Sequence, residues 1–133
     1  MKFSFLVDTD WAIHYLNGQK RIRKRPEEHR EVGVALSLIS LAELYEGIYY
    51  STDPEGNEQG LNDFWEAITL IGINEETCQL FGRERGRLRA RGRTISDFDL
   101  LIGITARQHD LTLLTNNRRH FQNIEGLRIE SLT

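Results

Sequence analysis

Cysteine is nearly absent. The single thiol, Cys78, has no second cysteine to oxidise with, which excludes disulfides and any cysteine-based zinc site and fits a reducing cytoplasm. Its place in a helix-like stretch makes it a core residue. Long apolar runs are missing too. The first, Phe3 to Val7, stops on the acid Asp8, too short for a signal peptide or a membrane span, so no membrane partner is expected. Lysine stops at Lys24, and His14, His29, His109 and His120 show no metal-ligand spacing. Repeats and low-complexity tracts are also lacking. What remains is an ordinary soluble composition, 39% hydrophobic and 28% charged with a net charge of -3, over 133 residues. That is enough for one domain, 1–133, around one core.

Mild acidity argues weakly against a nucleic-acid partner, but the placement of charge matters more than its total. Basic residues bunch at Lys20, Arg21, Arg23, Lys24 and Arg25, and again at Arg83, Arg85, Arg87, Arg89, Arg91 and Arg93. Taken alone they read as solvated helix faces with partners such as Glu27, Glu28 and Glu84. Beside a metal site the same residues would read as phosphate contacts.

Phe3, Phe5 and Val7 share one face at period two while Leu6 makes the other face apolar, which predicts a strand covered on both sides, as in a parallel sheet. A helix follows from its cap Asp10 to Asn17. Gly33 to Ser37 reads as a second buried strand, and Leu41, Leu44, Tyr45 and Ile48 mark one face of a helix opening at Ser40. Ser51 to Gly60 is rich in turn formers and predicts a surface loop. Leu61 to Leu70 follows as a short helix with Phe64 and Trp65, and Ile71 to Ile73 as an edge strand. Glu75 to Arg91 is the longest helix, closed by Gly92. Ser96 or Asp97 opens a helix to His109, Leu111 to Leu114 is a strand, Asn117 to Phe121 a helical turn, and Leu127 to Ile129 a last strand. Strand and helix therefore alternate, predicting an α/β fold: a three-layer α/β/α sandwich on a mainly parallel central sheet.

Right-handed crossovers bring the strand-to-helix junctions to one edge of such a sheet. Asp8, Ser40 to Glu43, and Asn116 to Arg119 lie at these junctions, and a helix opening at Asp97 can join them. Glu43 has a plain alternative, since Ser40-Leu41-Ala42-Glu43 is a capping box. Asp97 and Asp99 point to nearly opposite sides of a helix, so Asp97 is assigned as the cap and Asp99 as the site residue. Asp99, Gly103 and Ala106 form a stripe of small residues that would let Asp99 approach the sheet. Arg118 or Arg119 could hold a phosphate beside the acids. Asp97 and His120 are secondary candidates. Three carboxylates without cysteine or clustered histidine describe a hard-oxygen site suited to Mg2+ or Mn2+ and poorly suited to zinc. Phosphodiester hydrolysis is the reaction such a site most often serves.

Leu-Val-Asp8-Thr-Asp, Ser-Leu-Ala-Glu43-Leu-Tyr-Glu-Gly, Ser-Asp-Phe-Asp99-Leu-Leu-Ile-Gly and Leu-Leu-Thr-Asn-Asn117-Arg-Arg-His-Phe, taken in that order, resemble the PIN-domain ribonucleases, and among them the VapC-type toxins of type II toxin–antitoxin pairs. The resemblance spans nearly the whole chain. It implies a PIN-like fold, metal acids at Asp8, Glu43 and Asp99, and Asn117 at a position where the family often carries a fourth acid. It further implies Mg2+-dependent endonucleolytic cleavage of RNA, a homodimer, a small antitoxin that covers the site, and operator DNA bound only through that antitoxin. Two other readings stand beside it. A phosphatase of the haloacid dehalogenase type would use Asp8 as nucleophile and Asp10 as acid/base, but no lysine follows Lys24 to serve it. A PIN-like module that binds RNA or protein without cutting would need no intact acid set.

Overall fold

Phe5-Leu6-Val7 sets the layering. The computed structural model of the chain describes residues 4–16, 34–64 and 68–131. In it these three residues are the first strand, β1 (Phe5–Val7), with Val7 in an apolar cluster on one side of the sheet and Leu6 in a cluster on the other. There follow α1 (Thr9–Leu16), β2 (Val34–Ser37), α2 (Leu38–Tyr49), α3 (Pro54–Phe64), β3 (Thr69–Ile71), α4 (Glu75–Ala90), α5 (Asp97–Gln108), β4 (Thr112–Leu114), α6 (Arg118–Phe121) and β5 (Arg128–Glu130). The strands lie in the order β3-β2-β1-β4-β5, and every pairing is parallel. The three-layer α/β sandwich expected from the sequence is therefore present.

The period-two rule sorts the core. Val7, Val34, Leu36 and Leu114 face the layer of α1, α2 and α3, where Trp11, Leu44, Ile48 and Leu61 meet them. Leu6, Ala35 and Leu113 face the opposite layer, with Leu88, Leu100, Ile104 and Phe121. Each such fully buried leucine contributes roughly 1.5–3 kcal/mol of transfer free energy. Strand β1 is central, the chain running outward from it to β2 and β3 and then returning past it to β4 and β5. The order of strands thus reverses at the carboxyl end of β1, the place where open parallel sheets hold ligands.

Several local expectations are corrected. Residues 54–60 are helical, not a loop, because Asp53 Oδ1 accepts from the Gly56 amide at 3.1 Å and Pro54 starts the helix. Helix α3 continues to Leu61, which is fully buried. Cys78 is exposed, since the buried face of α4 is Thr77, Glu84 and Leu88, and residue 78 points away from it. Gly103 makes its close approach to Ile124 rather than to the sheet: a side chain added there would run into Ile124. The helix over Glu75–Ala90 ends as expected, with Gly92 at φ +66 just beyond it. The basic segment Lys20 to Arg25, His29 and Trp65 lie outside the described residues. No helix among the described residues is long and apolar enough to cross a membrane.

Candidate active site

Asp8 follows β1 directly and is only 3% exposed. Its amide donates to the Leu114 carbonyl at 3.1 Å, tying the ends of β1 and β4 together. Its Oδ1 accepts from the Trp11 amide at 2.7 Å, so Asp8 itself caps α1 and Asp10 stands in the first turn. Its Oδ2 accepts a short hydrogen bond from Thr115 Oγ1, whose oxygen in turn accepts from the Asn117 amide at 2.9 Å. Burial pushes the Asp8 carboxyl up to about 6. The Thr115 and Trp11 hydrogen bonds oppose that rise, and the charges of Asp10 and Asp99 add to it.

Glu43 lies on α2, and the capping-box reading of it is overturned. Ser37, the last residue of β2, is the true cap, accepting from the Ile39 amide at 3.0 Å. Ser40 is instead buried inside the helix with its Oγ 2.9 Å from Thr9 Oγ1. That leaves Glu43 free to turn toward α1, where its Oε1 accepts from the Thr9 hydroxyl at 2.6 Å. Partial burial raises its carboxyl, the Thr9 bond lowers it, and the charges of Asp99, Asp10 and Glu46 raise it again.

Ser96, not Asp97, caps α5, accepting from the Asp99 amide at 3.2 Å. Asp97 is 78% exposed and pairs with Arg85 at 2.6 Å, away from the other acids. Asp99 faces them, with its Oδ2 3.1 Å from His120 Nδ1. Asn117 donates a short hydrogen bond from Nδ2 to Asp10 Oδ2, joining α1 to the segment after β4. The two candidate phosphate ligands separate. Arg118 donates to the Ile129 carbonyl at 3.2 Å, whereas Arg119 lines a depression shared with Asp99, Ser96 and His120. The second basic cluster behaves largely as a helix face: Arg87 donates to the buried Glu84 at 2.6 Å and Arg85 is taken by Asp97.

Asp8, Asp10, Glu43, Asp99, Asn117 and His120 line one open cleft of about 710 Å3 at the carboxyl edge of the sheet. Sequence reasoning passed over Thr9 and Thr115, which hold the acids, read Ser40 as a cap where it bonds Thr9, and used Asp10 as a helix cap and in the phosphatase reading but not as a lining residue of this cleft. Thr9 and Thr115 were findable as the hydroxyl residues that end the two central strands' junctions. Among the described residues no three acid, histidine or cysteine side chains close around a single point. The acids face a common opening instead. As donors they still fit a hard divalent cation: the carboxyls of Asp8 and Glu43 are raised first by burial and then, in lesser part, by the charges of the neighbouring acids, and a cation would offset both.

The PIN domain family model matches residues 5–127. Ribonuclease VapC2 of Haemophilus influenzae is 30% identical over 133 residues, covering 96% of each chain. Ribonuclease VapC1 of Methanocaldococcus jannaschii is 35% identical over 126 residues, covering 93% of this chain and 85% of its own. The tRNA(fMet)-specific endonuclease VapC of Shigella flexneri is 28% identical, covering 95% of this chain and 96% of its own. Among solved structures, VapBC2 of Rickettsia felis bound to a DNA fragment from its promoter superposes with a TM-score of 0.91 at 27% identity, covering 97% of this chain and 98% of that one. DNA-bound VapBC of Salmonella typhimurium superposes with the same TM-score and identity, covering 98% and 99%.

Proposed function

The chain belongs to the PIN domain family and, within it, to the VapC ribonucleases of toxin–antitoxin pairs, and from that premise we propose that it is an endoribonuclease dependent on Mg2+ or Mn2+. The observation that carries the reading is that Asp8, Glu43 and Asp99, brought from β1, α2 and α5, line one cleft where the strand order reverses. These three acids would hold the ion. When bound, it makes water a competent nucleophile at neutral pH and neutralises charge on the scissile phosphate.

The chain's own residues prepare that site. Thr115 and the Trp11 amide fix both oxygens of Asp8, and Thr9 fixes one oxygen of Glu43. Asn117 keeps Asp10 at the cleft, so its amide acts through a carboxylate. Arg119, beside Asp99 and His120, is the better placed of the two arginines to take a substrate phosphate, since Arg118 is engaged with the backbone of β5. An antitoxin protein that covers the cleft, a homodimer, and operator DNA reached through the antitoxin complete the proposal. The relatives solved as DNA-bound VapBC support the partner protein and the DNA in that part.

The phosphatase reading loses ground here. Both oxygens of Asp8 are occupied by donors and the group is buried, which suits a held ligand better than an attacking nucleophile. The test is to incubate antitoxin-free protein with structured RNAs, with and without Mg2+, beside Asp8→Asn and Asp99→Asn. Cleavage that needs Mg2+ and fails in both variants supports the reading. Undiminished cleavage in EDTA, or in both variants, overturns it, and tight RNA binding with no cleavage would leave an inert module.

A further inference from the structure

The cleft has two unlike walls. On the α5 and α6 side Ser96 and His120 stand beside Phe121, with Arg119 just beyond. On the α1 and α2 side the rim carries the apolar surfaces of Ile13 and Tyr50, with Glu46 lining the cleft beside them. Tyr50 is 88% exposed, the most exposed large hydrophobic residue among those described. It contributes almost nothing to the core. Its backbone is nevertheless fixed, because as the C-cap of α2 its amide donates to the carbonyls of Glu46 and Ile48. The neighbouring rings behave differently: Tyr45 and Tyr49 stack on each other with centroids 5.6 Å apart. Among the described residues Tyr50 has no ring partner. A rigidly based, unstacked aromatic face thus stands at the edge of an acidic floor, with a guanidinium beyond the opposite wall in the adjoining depression.

We propose that Tyr50 is a base-stacking platform: the cleft takes an unpaired nucleotide, with its base against Tyr50 and Ile13 and its phosphate toward Arg119. This rests on the nuclease reading and deepens it by naming the residue that holds one base and so positions the strand. A paired base presents no free face to the tyrosine, whereas a loop base does, and stacking of this kind tolerates any base. The contact gives register along the strand. It sets which phosphate lies over the acids without reading the sequence.

The experiment uses the whole protein in Ca2+ with an RNA hairpin carrying 2-aminopurine at successive loop positions, and a fully paired duplex as control. Wild type should quench the fluorophore strongly at one loop position and bind the hairpin about tenfold more tightly than the duplex. Tyr50→Ala should lose the quench and most of that preference while binding the duplex as before, and Tyr50→Phe should retain both. Because the side chain is exposed, melting temperatures of the three proteins should agree. Equal hairpin binding and quenching in wild type and Tyr50→Ala overturns the proposal. So does an absence of loop preference in wild type, or a Tyr50→Ala defect confined to binding of a protein partner. Mg2+-independent cleavage would sink the nuclease reading by itself, and it is read in a separate assay from the quench.

Discussion

The hydroxyl of Thr115 donates to Oδ2 of Asp8 across 107 positions of sequence. It joins the carboxyl ends of the two central strands and is the donor that most opposes the burial-driven rise of the Asp8 carboxyl. Thr115→Val keeps the shape and removes both the donor to Asp8 and the acceptor of the Asn117 amide. It should cost about 1.5–3 kcal/mol, the range for a hydrogen bond to a charged group, measured by urea denaturation. It should also shift Asp8 further up, so that Mg2+ binding, followed by calorimetry, requires a higher pH than in wild type.

Asp8 also makes stability depend on pH in the direction opposite to most carboxylates. Its folded value, about 6, lies above the unfolded value of 3.8, so its contribution is fully present below the unfolded value and is lost as pH rises through about 6. A shift of that size corresponds to about 3 kcal/mol. Asp8→Asn, whose Oδ1 can still accept from the Trp11 amide and whose Nδ2 can donate to Thr115 Oγ1 in place of accepting from it, should therefore stabilise the metal-free protein at pH 7 by up to that amount and flatten its stability between pH 4 and 7. Chemical denaturation across that range checks the slope. An Asp8→Asn protein no more stable than wild type at pH 7 would contradict it.

Glu84 should behave the other way. It is 3% exposed and accepts from Arg87, from Arg107 and, at 2.9 Å, from the Glu125 amide. Burial alone would raise its carboxyl, but these donors and charges hold it below the usual range. Its contribution is present above the unfolded value and is lost as pH falls through the folded one. Glu84→Gln should destabilise the fold by about 3 kcal/mol, as breaking a buried ion pair does. The loss should be smaller in acid, and Mg2+ affinity of the folded fraction should be unchanged, because none of Glu84, Arg87, Arg107 and Glu125 lines the cleft.

Asn117 neutralises nothing but orients Asp10. Asn117→Asp places a second carboxylate against it and removes the donor. The metal-free protein should melt lower than wild type, and saturating Mg2+ should raise its melting temperature by more than it raises that of wild type. Equal metal-induced shifts would show that Asp10 and residue 117 do not face the ion.

The parts of this arrangement that were legible in the sequence are those written in side-chain period. Phe5-Leu6-Val7 and Val34-Ala35-Leu36 alternate between the two apolar clusters as their pattern requires, and the acid at the end of the first marks the edge where the strand order reverses. What was illegible depended on phase or on which of two caps wins. Ser40 looks like a cap in sequence, but β2 runs into α2 without a loop, so Ser37 takes the role and frees Glu43. The stretch Pro54 to Gly60 looks like a loop because it lacks apolar residues. It is helical because Asp53 caps it and Leu61, a turn or two later, anchors it in the core. Cys78 reads as core from its helix-like stretch and is outside by one position of helical phase. The hydroxyls of Thr9 and Thr115 gave no periodic signal, since their partners lie 34 and 107 residues away.

Titration of Mg2+ into antitoxin-free protein by calorimetry, with wild type beside Asp8→Asn, Glu43→Gln and Asp99→Asn, and with RNA cleavage assayed on the same samples, addresses the joint role of the three acids most directly. Saturable binding in wild type, weakened at least about tenfold in each variant with cleavage lost in parallel, is the predicted result. Wild-type affinity in all three variants, or cleavage that persists without the ion, would contradict it.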